Sequence, residues 1–454
     1  MNSRYTISLI NDSLSKKLYI ETFGCQMNFS DSEIVNSILV DHRYEPTQNL
    51  EDADVVFVNT CSIRENAEKR VLQRLQQFRH LKKEKPEMVI GVLGCMAERM
   101  KESLLEKAAY VDLIAGPDAY RDLPRLIKVA GSGQKAINVI LSADETYANI
   151  NPVRLDSNHV SAFISIMRGC ENHCAYCVVP SVRGVERSRN PETIIAECHD
   201  IFNNGYREVT LLGQNVNSYA WESDAGHVSF PMLLEKVAAV NPLLRVRFAT
   251  SHPKDLSDVL IAIMVRNENI CRSIHLPVQS GSSRILKLMN RRYDREWYMD
   301  RVKAIRQNLP ECSITTDIIT GFCSETEDEH QETLSLMQWV GYDYAYMFKY
   351  SERPGTIAAK KLPDDVPEPV KSRRLSEIIE LQQQLSHQSN LRDVGQTFTV
   401  LVEGTSKRSN KQFMGRNSQN KVVVFTGAES KPGTYVKVLI TKCTPATLIG
   451  EMKN

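Results

Sequence analysis

Three cysteines, Cys170, Cys174 and Cys177, lie in one short stretch of the chain with the spacing CxxxCxxC. The apolar run at residues 162–167 precedes them and predicts a buried strand that delivers the three thiolates into one loop. A four-iron cluster takes one thiolate for each iron, so three thiolates leave one iron open. An open position on a metal is typical of a site that performs chemistry.

A second set of cysteines, Cys25, Cys61 and Cys95, is spread over the first part of the chain. Each follows a stretch with the composition of a buried strand, at residues 17–22, 53–58 and 88–93, and helical stretches at residues 31–40 and 63–81 lie between them. This βαβαβ pattern predicts a parallel sheet, in which the carboxyl ends of the strands share one edge. We therefore expect the three cysteines to converge on a second metal site, again with only three protein ligands.

Other interpretations of the cysteines are open. A lone cysteine near a strand end is usually a small buried apolar residue, which would account for each N-terminal cysteine separately. For the CxxxCxxC loop the alternative is a zinc ion with His173 or a distant thiol as fourth ligand, although structural zinc usually takes two CxxC pairs. A disulfide framework is disfavoured, because the chain is long, has 11 cysteines and has no recognisable export signal.

The composition is that of a globular protein with several domains. The chain has 454 residues, more than one core usually accommodates, and 42% of them are hydrophobic and 24% charged. We expect three domains, at residues 1–155, 156–388 and 389–454. The longest apolar stretches are too short to cross a bilayer, so we expect no membrane partner and a cytoplasmic location.

The CxxxCxxC spacing, the aromatic Tyr176 before its last cysteine and the preceding strand resemble the radical S-adenosylmethionine enzymes. This resemblance implies that Cys170, Cys174 and Cys177 hold a [4Fe-4S] cluster whose open iron binds S-adenosylmethionine. It also implies that the reduced cluster cleaves this cofactor to a 5′-deoxyadenosyl radical, which abstracts hydrogen from an unactivated C–H bond.

Residues 160–351 alternate between predicted strands and helices and predict a partial (β/α) barrel with its functional groups at the carboxyl ends of the strands. Polar residues at those ends form a candidate binding group for the methionine and ribose parts of the cofactor: Gln214, Asn215, Ser251, Gln279 and Asp317. The other histidines and cysteines of this region are interpreted as structural or core residues: His252, His275, Cys198, Cys271 and Cys312.

The C-terminal part combines short predicted strands with an excess of basic residues. From Asn390 to the end, ten Lys and Arg stand against four Asp and Glu, a net charge of +6 in a chain whose total is +1. Strands at residues 397–403, 421–425, 435–441 and 447–451 indicate a small closed β-barrel. Such a basic module suits an RNA backbone and resembles the TRAM domain. The candidate RNA-binding residues are Lys407, Arg408, Lys411 and Arg416.

With both cysteine sets the chain resembles the methylthiotransferases, enzymes that insert sulfur and a methyl group into a C–H bond. The resemblance implies that Cys25, Cys61 and Cys95 hold an auxiliary [4Fe-4S] cluster, which carries the sulfur to be transferred. The implied fold is of the α/β class, with a Rossmann-like amino-terminal domain, the partial barrel and a TRAM β-barrel. In one departure from the family pattern, Cys323 and Ser324 stand where Pro-Gly is usual, and the sequence does not indicate the effect of this change.

Motifs along almost the whole chain are most similar to the branch that acts on tRNA with an isopentenylated adenosine next to the anticodon, at residues 23–28, 59–65, 212–219, 276–282 and 353–356. The resemblance implies conversion to 2-methylthio-N(6)-dimethylallyladenosine. The C–H bond at carbon 2 is too weakly acidic for a side-chain base, so a carbon radical is required. The implied partners are this tRNA, a sulfur source and an electron donor such as flavodoxin or ferredoxin. Tyr350 is a candidate to stack the base, with a packing role as the alternative.

Two alternative functions stay open at this point. A methylthiotransferase acting on a ribosomal-protein aspartate or on a threonylcarbamoylated adenosine would keep the chemistry, but those branches are less similar at residues 26–28 and 213–219. A non-catalytic RNA-binding protein with a structural zinc would need neither cluster. No catalytic residue beyond the cluster ligands is indicated.

Overall fold

A computed structural model describes residues 15–62, 65–155, 158–224, 226–406 and 409–453. The chain forms two compact units, one comprising Met1–Leu141 and Ile150–Val153, the other Ser142–Asn149 and Arg154–Asn454. Both contain helices and parallel strands, which confirms the predicted α/β class. None of the helices in the described ranges combines the length and the apolar composition that a membrane crossing needs.

The first unit contains a six-stranded parallel sheet with helices between its strands. The strands are β1 (Lys16–Phe23), β2 (Tyr44–Pro46), β3 (Val55–Thr60), β4 (Val89–Gly94), β5 (Leu113–Ala115) and β6 (Ala136–Asn138). The helices are α1 (Gln26–Val40), α2 (Glu65–Glu84), α3 (Cys95–Met100), α4 (Ser103–Lys107) and α5 (Leu123–Gly131). The three predicted strands are confirmed as β1, β3 and β4, and three shorter strands extend the sheet, in the order β2-β1-β3-β4-β5-β6.

The three central strands of this sheet end level with one another. β3 and β4 are buried along their whole length, as continuous apolar runs covered on both faces usually are. In the register of the sheet Phe23 pairs with Thr60, and Thr60 pairs with Gly94. The loops that follow these three residues therefore start at the same edge, one strand spacing apart.

The second unit begins with the central barrel. Its strands are β7 (Ser161–Ser165), β8 (Met167–Arg168), β9 (Arg187–Ser188), β10 (Glu208–Leu212), β11 (Ala220–Ser223), β12 (Gly226–Ser229), β13 (Arg245–Phe248), β14 (Ser273–His275), β15 (Ser313–Thr320) and β16 (Tyr344–Lys349). Its helices are α6 (Val179–Arg183), α7 (Pro191–Asn203), α8 (Phe230–Ala238), α9 (Asp258–Arg266), α10 (Ser283–Leu288), α11 (Arg295–Asn308), α12 (Glu327–Val340), α13 (Ile357–Lys361) and α14 (Glu368–Arg392).

Two parallel sheets, in the orders β13-β10-β7 and β14-β15-β16, make up the barrel wall. A parallel bridge between Val246 and Ile270 joins β13 to the segment that leads into β14. One apolar core lies between the strands and the surrounding helices and includes Ile164, Leu211 and Ala345. The partial (β/α) barrel predicted from the alternation of strands and helices is confirmed.

A closed five-stranded barrel ends the chain. Its strands are β17 (Thr397–Ser406), β18 (Ser409–Arg416), β19 (Val422–Thr426), β20 (Tyr435–Cys443) and β21 (Leu448–Met452), in the order β17-β18-β19-β21-β20. Alternating residues of these strands, among them Val400, Val402 and Phe425, form its apolar core. The sequence prediction missed β18, because polar residues occupy its first half and obscure the alternation.

The C-terminal barrel contacts the central barrel where the strands of the latter begin. Glu208 and Arg245 are the first residues of β10 and β13, and Arg247 donates to Glu208 at 2.7 Å. Arg245 donates to the carbonyl oxygen of Arg416 at 2.7 Å, and Arg247 donates to that of Asn417 at 2.8 Å. All three charged side chains are buried. The C-terminal barrel therefore covers the end of the barrel opposite to the CxxxCxxC loop.

Candidate functional site

The strand-end trio, Cys25, Cys61 and Cys95, lies at one edge of the first sheet. Cys61 and Cys95 directly follow the paired residues Thr60 and Gly94, and Cys25 begins two residues after the end of β1. Adjacent parallel strands are about 4.8 Å apart, so the three backbones reach the edge side by side. Cys61 and Cys95 are buried, whereas Cys25 is exposed.

Close backbone packing draws the first two loops of this trio together. A Cβ at Gly24 would lie 2.9 Å from the Cβ of Cys61 and 2.6 Å from Oδ1 of Asn28, so only glycine fits beside Cys25. Oδ1 of Asn28 also accepts hydrogen bonds from the Cys25 backbone N–H, at 3.4 Å, and from its thiol, at 3.2 Å. At the third loop, Gly94 has a φ of +87°, a conformation that favours glycine. The three loops that carry the cysteines thus leave the sheet side by side at one edge.

The loop trio, Cys170, Cys174 and Cys177, follows the short strand β8. Gly169 precedes it with a φ of +81°, and a Cβ there would lie 1.8 Å from the carbonyl oxygen of Val185. This residue must therefore be glycine for the loop to pass so close to its neighbour. Within the loop, the Cys177 backbone N–H donates to the carbonyl oxygen of Cys174 at 3.0 Å, which folds the last two cysteines into one turn.

N–H groups of the chain point at the sulfur atoms of the loop trio. Nδ2 of Asn172 lies 3.5 Å from Sγ of Cys170, and the backbone nitrogen of Val179 lies 3.4 Å from Sγ of Cys177. Burial raises the pKa of the Cys177 thiol to about 12 and also raises that of Cys170. Metal binding therefore has to displace protons from these thiols, and the N–H donors suit the thiolates that result.

The two cysteine trios suit a four-iron cluster better than a single metal ion. Across the described residues, no three His, Cys, Asp or Glu side chains converge at the distances that one metal ion requires. A four-iron cluster spaces its thiolates more widely, because each one binds a different iron. Each trio offers three soft thiol ligands on neighbouring loops or within one loop, and this donor set fits such clusters.

Three buried polar atoms without a hydrogen-bond partner in the described part of the chain lie in the loops after β10 and β13. They are Oε1 of Gln214, Nδ2 of Asn217 and Nε2 of His252. Burial of an unpaired polar atom costs free energy, so such atoms are usually satisfied by a ligand or by water. Burial, assisted by the Arg291 charge, lowers the pKa of His252 to about 2, so its ring is neutral and Nε2 is available for hydrogen bonding.

Two other predicted cofactor residues position these loops. Asn215 uses both ends of its amide within the protein, because Nδ2 donates to Asp255 at 2.7 Å and Oδ1 accepts from the His252 backbone at 3.0 Å. Oγ of Ser251 donates to Oδ1 of Asn217 at 3.2 Å. The structure thus brings Gln214, Asn215 and Ser251 together at neighbouring strand ends.

Gln279 and Asp317 lie together on the other half of the barrel. The Gln279 backbone N–H donates to the carbonyl oxygen of Asp317 at 2.9 Å, and Gln279 has a φ of +74°, which is rare for a residue other than glycine. The Asp317 carboxylate lies 3.5 Å from Nε2 of His275. The Tyr293 ring lies 5.5 Å from that of His252, and the Tyr293 hydroxyl donates to the carbonyl oxygen of Val278 at 2.9 Å. Tyr293 thus links the two halves of the barrel.

Comparison with known proteins finds family matches in three stretches of the chain. Residues 17–116 match the model of "Uncharacterized protein family UPF0004", residues 164–337 match "Radical SAM superfamily" and residues 391–453 match "TRAM domain". Proteins named tRNA-2-methylthio-N(6)-dimethylallyladenosine synthase are similar over nearly the whole chain. The protein from Amoebophilus asiaticus is 57% identical over 98% of this chain and 94% of its own, and that from Phocaeicola vulgatus is 58% identical over 97% and 96%.

The chain belongs to this synthase family. It is accordingly a transferase of the radical S-adenosylmethionine superfamily, which uses S-adenosylmethionine and a [4Fe-4S] cluster.

Solved structures are similar to this chain in fold. The radical S-adenosylmethionine methyltransferase TsrM from Kitasatospora setae, with cobalamin and a [4Fe-4S] cluster bound, has a TM-score of 0.57 over 76% of this chain and 77% of its own, at 12% identity. The cobalamin-dependent enzyme OxsB has a TM-score of 0.54 over 81% of this chain and 56% of its own, at 14% identity. At these identities the likeness concerns the fold alone.

Tyr350, the candidate for base stacking, and Cys323, which departs from the family pattern, lie in one packed apolar cluster. The Tyr350 ring is 4% exposed and packs edge-on against Phe322 at 4.9 Å, which favours the packing alternative over base stacking. Cys323 is buried in the same cluster. Ser324 has a φ of +60°, so it adopts the left-handed conformation that favours glycine, the usual residue of the family at this position. The Glu325 backbone N–H donates to the carbonyl oxygen of Phe322 at 2.9 Å and closes the turn in this chain.

The candidate RNA-binding residues lie in or beside β18. Lys407 and Arg408 fall outside the described residues. Lys411 is exposed on β18. Nε of Arg416 lies 3.2 Å from a carboxylate oxygen of Glu403, so part of its charge is balanced within the protein.

Sequence analysis missed three residues of this region of the enzyme. Asn217 and His252 supply two of the three unpartnered buried atoms, and Arg291 donates to Sγ of Cys174 at 3.3 Å. Asn217 lies in a motif that the sequence comparison quoted, but nothing in the sequence separates it from its neighbours. Burial and hydrogen-bond partners identify all three, and both depend on the fold.

Proposed function

We propose that the chain converts N(6)-dimethylallyladenosine next to the anticodon of tRNA into its 2-methylthio derivative, with one [4Fe-4S] cluster on the loop trio and a second on the strand-end trio. The observation that carries the proposal is the register of Phe23, Thr60 and Gly94, because strands that end level at one edge support a second site formed by the cysteines that follow them. Three protein ligands leave one iron of each cluster open to bind another molecule.

The remaining chemistry comes from the bound groups and the residues that hold them. When bound, the clusters and S-adenosylmethionine supply one-electron chemistry that activates an unreactive C–H bond, together with a sulfur atom for transfer. We assign Gln214, Asn217 and His252 to hydrogen bonds with polar parts of S-adenosylmethionine, since each presents a buried unpaired atom. Asn215 and Ser251 orient these residues.

Exposed aromatic residues on β16 are suited to hold the adenine. Tyr344 and Tyr346 are 49% and 46% exposed and lie edge to face, 5.1 Å apart. Successive side chains of a strand point to opposite faces, and Ala345, between the two tyrosines, packs into the core beneath the helices. Tyr344 and Tyr346 therefore face the inside of the barrel. We propose that these rings, rather than Tyr350, stack the flipped base.

We assign the C-terminal barrel to binding of the tRNA backbone, with Lys411 as its exposed cation on β18. This barrel lies at the end of the central barrel where the strands begin, so the tRNA would extend along the barrel wall for about 17 Å, the length of a five-residue strand. A polynucleotide easily spans that distance.

Several further parts of the proposal concern partners and organisation. Each turnover needs electrons, for which a small low-potential protein such as flavodoxin or ferredoxin is suited, and a sulfur source. We propose a cytoplasmic location, where tRNA is modified. We also retain the division into domains at residues 1–155, 156–388 and 389–454.

The direct test combines the anaerobically reconstituted full chain with S-adenosylmethionine, reductant and tRNA that carries the isopentenylated adenosine. Mass analysis of the nucleosides is expected to reveal a gain of one methylthio group. The same tRNA without the isopentenyl group serves as the substrate control. Unchanged nucleosides despite two full clusters would contradict the proposed reaction.

Cysteine variants test the two ligand sets separately. Cys61→Ala and Cys174→Ala are each expected to lower the iron content from about eight to about four atoms per chain. Only Cys174→Ala should also abolish cleavage of S-adenosylmethionine. Cys198→Ala, a buried cysteine of the barrel core, is the matched control and should retain all the iron. Full iron in Cys61→Ala would refute the second cluster.

A further inference from the structure

Arg291 carries a buried positive charge, and no described carboxylate forms an ion pair with it. Its side chain is 4% exposed. Its N–H groups donate to Oη of Tyr293 at 2.9 Å, the carbonyl oxygen of Pro277 at 2.7 Å, Oη of Tyr176 at 3.4 Å and Sγ of Cys174 at 3.3 Å. A buried charge without a counter-ion costs several kcal/mol, so a negative charge is expected nearby in the working enzyme.

Of these four acceptors only Cys174 supplies that charge. A carbonyl oxygen is neutral, and phenols are neutral near pH 7. A cysteine becomes a full thiolate when it binds a metal. The buried guanidinium is therefore matched to a metal-bound Cys174 and poorly matched to a protonated one.

We propose that Arg291 is the counter-ion of the cluster on the loop trio and that it stabilises the reduced state of this cluster, raising its midpoint potential. The inference rests on the proposed assignment of Cys170, Cys174 and Cys177 as cluster ligands.

The direction follows from the charges. Reduction transfers one electron from a low-potential donor to the cluster, forms or breaks no bond, and makes the cluster more negative by one unit. A fixed positive charge in a low-dielectric interior stabilises the more negative state more strongly. Hydrogen bonds to cluster sulfurs act in the same direction. The donors to the other two cysteines, Asn172 and the Val179 backbone, are neutral, so Arg291 is the charged donor of the three.

The position of Arg291 is fixed by its neighbours in the chain. The carbonyl oxygen of Met289 accepts from the Ala175 backbone N–H at 2.8 Å, and Nδ2 of Asn290 donates to the carbonyl oxygen of His173 at 2.9 Å. Residues 289–291 therefore each contact the loop between Cys170 and Cys177. This arrangement holds Arg291 beside the loop trio, and the bonds to the Pro277 carbonyl oxygen and to Tyr293 orient its guanidinium.

The test is a redox titration of the anaerobically reconstituted full chain, followed by electron paramagnetic resonance. The signal that changes when S-adenosylmethionine is added belongs to the cluster on the loop trio. In Arg291→Gln, we expect the ratio of reduced to oxidised cluster at a fixed potential to fall about tenfold, a midpoint about 59 mV more negative. Arg291→Lys keeps the charge and should shift the midpoint less in the same direction. Arg292→Gln removes the neighbouring exposed charge and is the matched control.

Each outcome decides the inference. An unchanged midpoint in Arg291→Gln with full iron overturns it, as does an equal shift in Arg292→Gln. If Arg291→Gln loses the cluster, Arg291→Lys provides the measurement, and loss of the cluster in both variants would overturn the redox role in favour of a purely structural one. Full iron in Cys174→Ala would instead refute the ligand assignment of the proposed function, independently of any midpoint.

Discussion

Asn28 and Asn59 bind each other across the first two loops of the strand-end trio. Nδ2 of Asn28 lies 3.2 Å from Oδ1 of Asn59, and Nδ2 of Asn59 lies 2.8 Å from the carbonyl oxygen of Asn28. Both side chains are fully buried. Asn28 also donates to the carbonyl oxygen of Thr60 at 3.1 Å, directly before Cys61. One amide thus connects the backbones that carry Cys25 and Cys61, two of the proposed cluster ligands.

Replacement of this amide is expected to weaken the second cluster selectively. Asn28→Ala leaves Asn59 and the Thr60 carbonyl without their partner, at a cost of about 1–3 kcal/mol for a buried polar group. We expect iron to fall toward about four atoms per chain after anaerobic gel filtration, with cleavage of S-adenosylmethionine retained. Asn36→Ala is the control, because Asn36 is buried in the same helix and donates to the Ser32 carbonyl oxygen. Equal iron loss in both variants would argue against a specific role of Asn28.

Gly169 gives a steric test of the loop trio. Gly169→Ala places a Cβ within 1.8 Å of the Val185 carbonyl oxygen, so the backbone before Cys170 has to move. We expect loss of the cluster on this loop and of S-adenosylmethionine cleavage, measured by iron content and product analysis. Gly205→Ala has a comparable φ of +93° but nothing within 4 Å of the new Cβ. It should lose a little stability and keep both clusters, and if Gly169→Ala behaved in the same way, the close packing at this loop would be irrelevant to the cluster.

The periodicity of the sequence was sufficient to predict the strands that lead directly into a cysteine. Cys61 and Cys95 follow strands that are buried along their whole length, so the strands and the shared edge at which they end were predictable. The same reasoning identified the partial barrel. It missed β18, where polar residues interrupt the alternation, although Lys411 and Arg416 in this strand had been selected for their charge.

The contacts of long side chains were beyond the reach of sequence reasoning. Arg291 stands beside a second arginine in the sequence, and only the fold places one of them at Cys174 and the other at the surface. Tyr350 was the candidate for base stacking, yet its ring is buried, whereas Tyr346 is half exposed. Burial on a barrel depends on which face of the strand meets the helices, and a short aromatic strand does not reveal that face by itself.

Tyr346 allows a test of base binding that leaves the clusters intact. Its ring lies 5.8 Å from that of His275, and its strand position pairs with Asp317. Tyr346→Ala is expected to lower kcat/KM for the tRNA about 5- to 150-fold, since stacking of a base on an aromatic ring contributes about 1–3 kcal/mol. Tyr346→Phe keeps the ring and should retain most of the activity. Trp339→Ala, an exposed aromatic change on α12, is the control, and an equal loss there would contradict the role of Tyr346.

Glu98 predicts a pH dependence of stability in the first unit. It lies in α3, three residues after Cys95, and is 2% exposed, and its Oε2 has no hydrogen-bond partner within the described ranges. Burial raises the pKa of Glu98 from 4.5 to about 7. The charge of Lys101, whose Nζ lies 3.9 Å from Oε1 of Glu98, opposes this shift, and the charge of Asp118 adds to it. Between pH 4.5 and about pH 7, the folded state therefore keeps a proton on Glu98 that the unfolded chain releases.

The sign of the effect follows from linkage. Between pH 4.5 and about pH 7 the folded chain binds more protons than the unfolded chain, so the contribution of Glu98 to stability falls as pH rises and stays low above pH 7. Glu98→Gln removes this loss, and we expect it to stabilise the chain at pH 8 by on the order of 1–3 kcal/mol and to change little at pH 5. Denaturant unfolding of the cluster-loaded chain at both pH values measures the difference.

Glu102→Gln, an exposed change in the same segment, should have no effect at either pH. A Glu98→Gln variant that is no more stable than the wild type at pH 8 would mean that the carboxylate is solvated or paired in the folded enzyme.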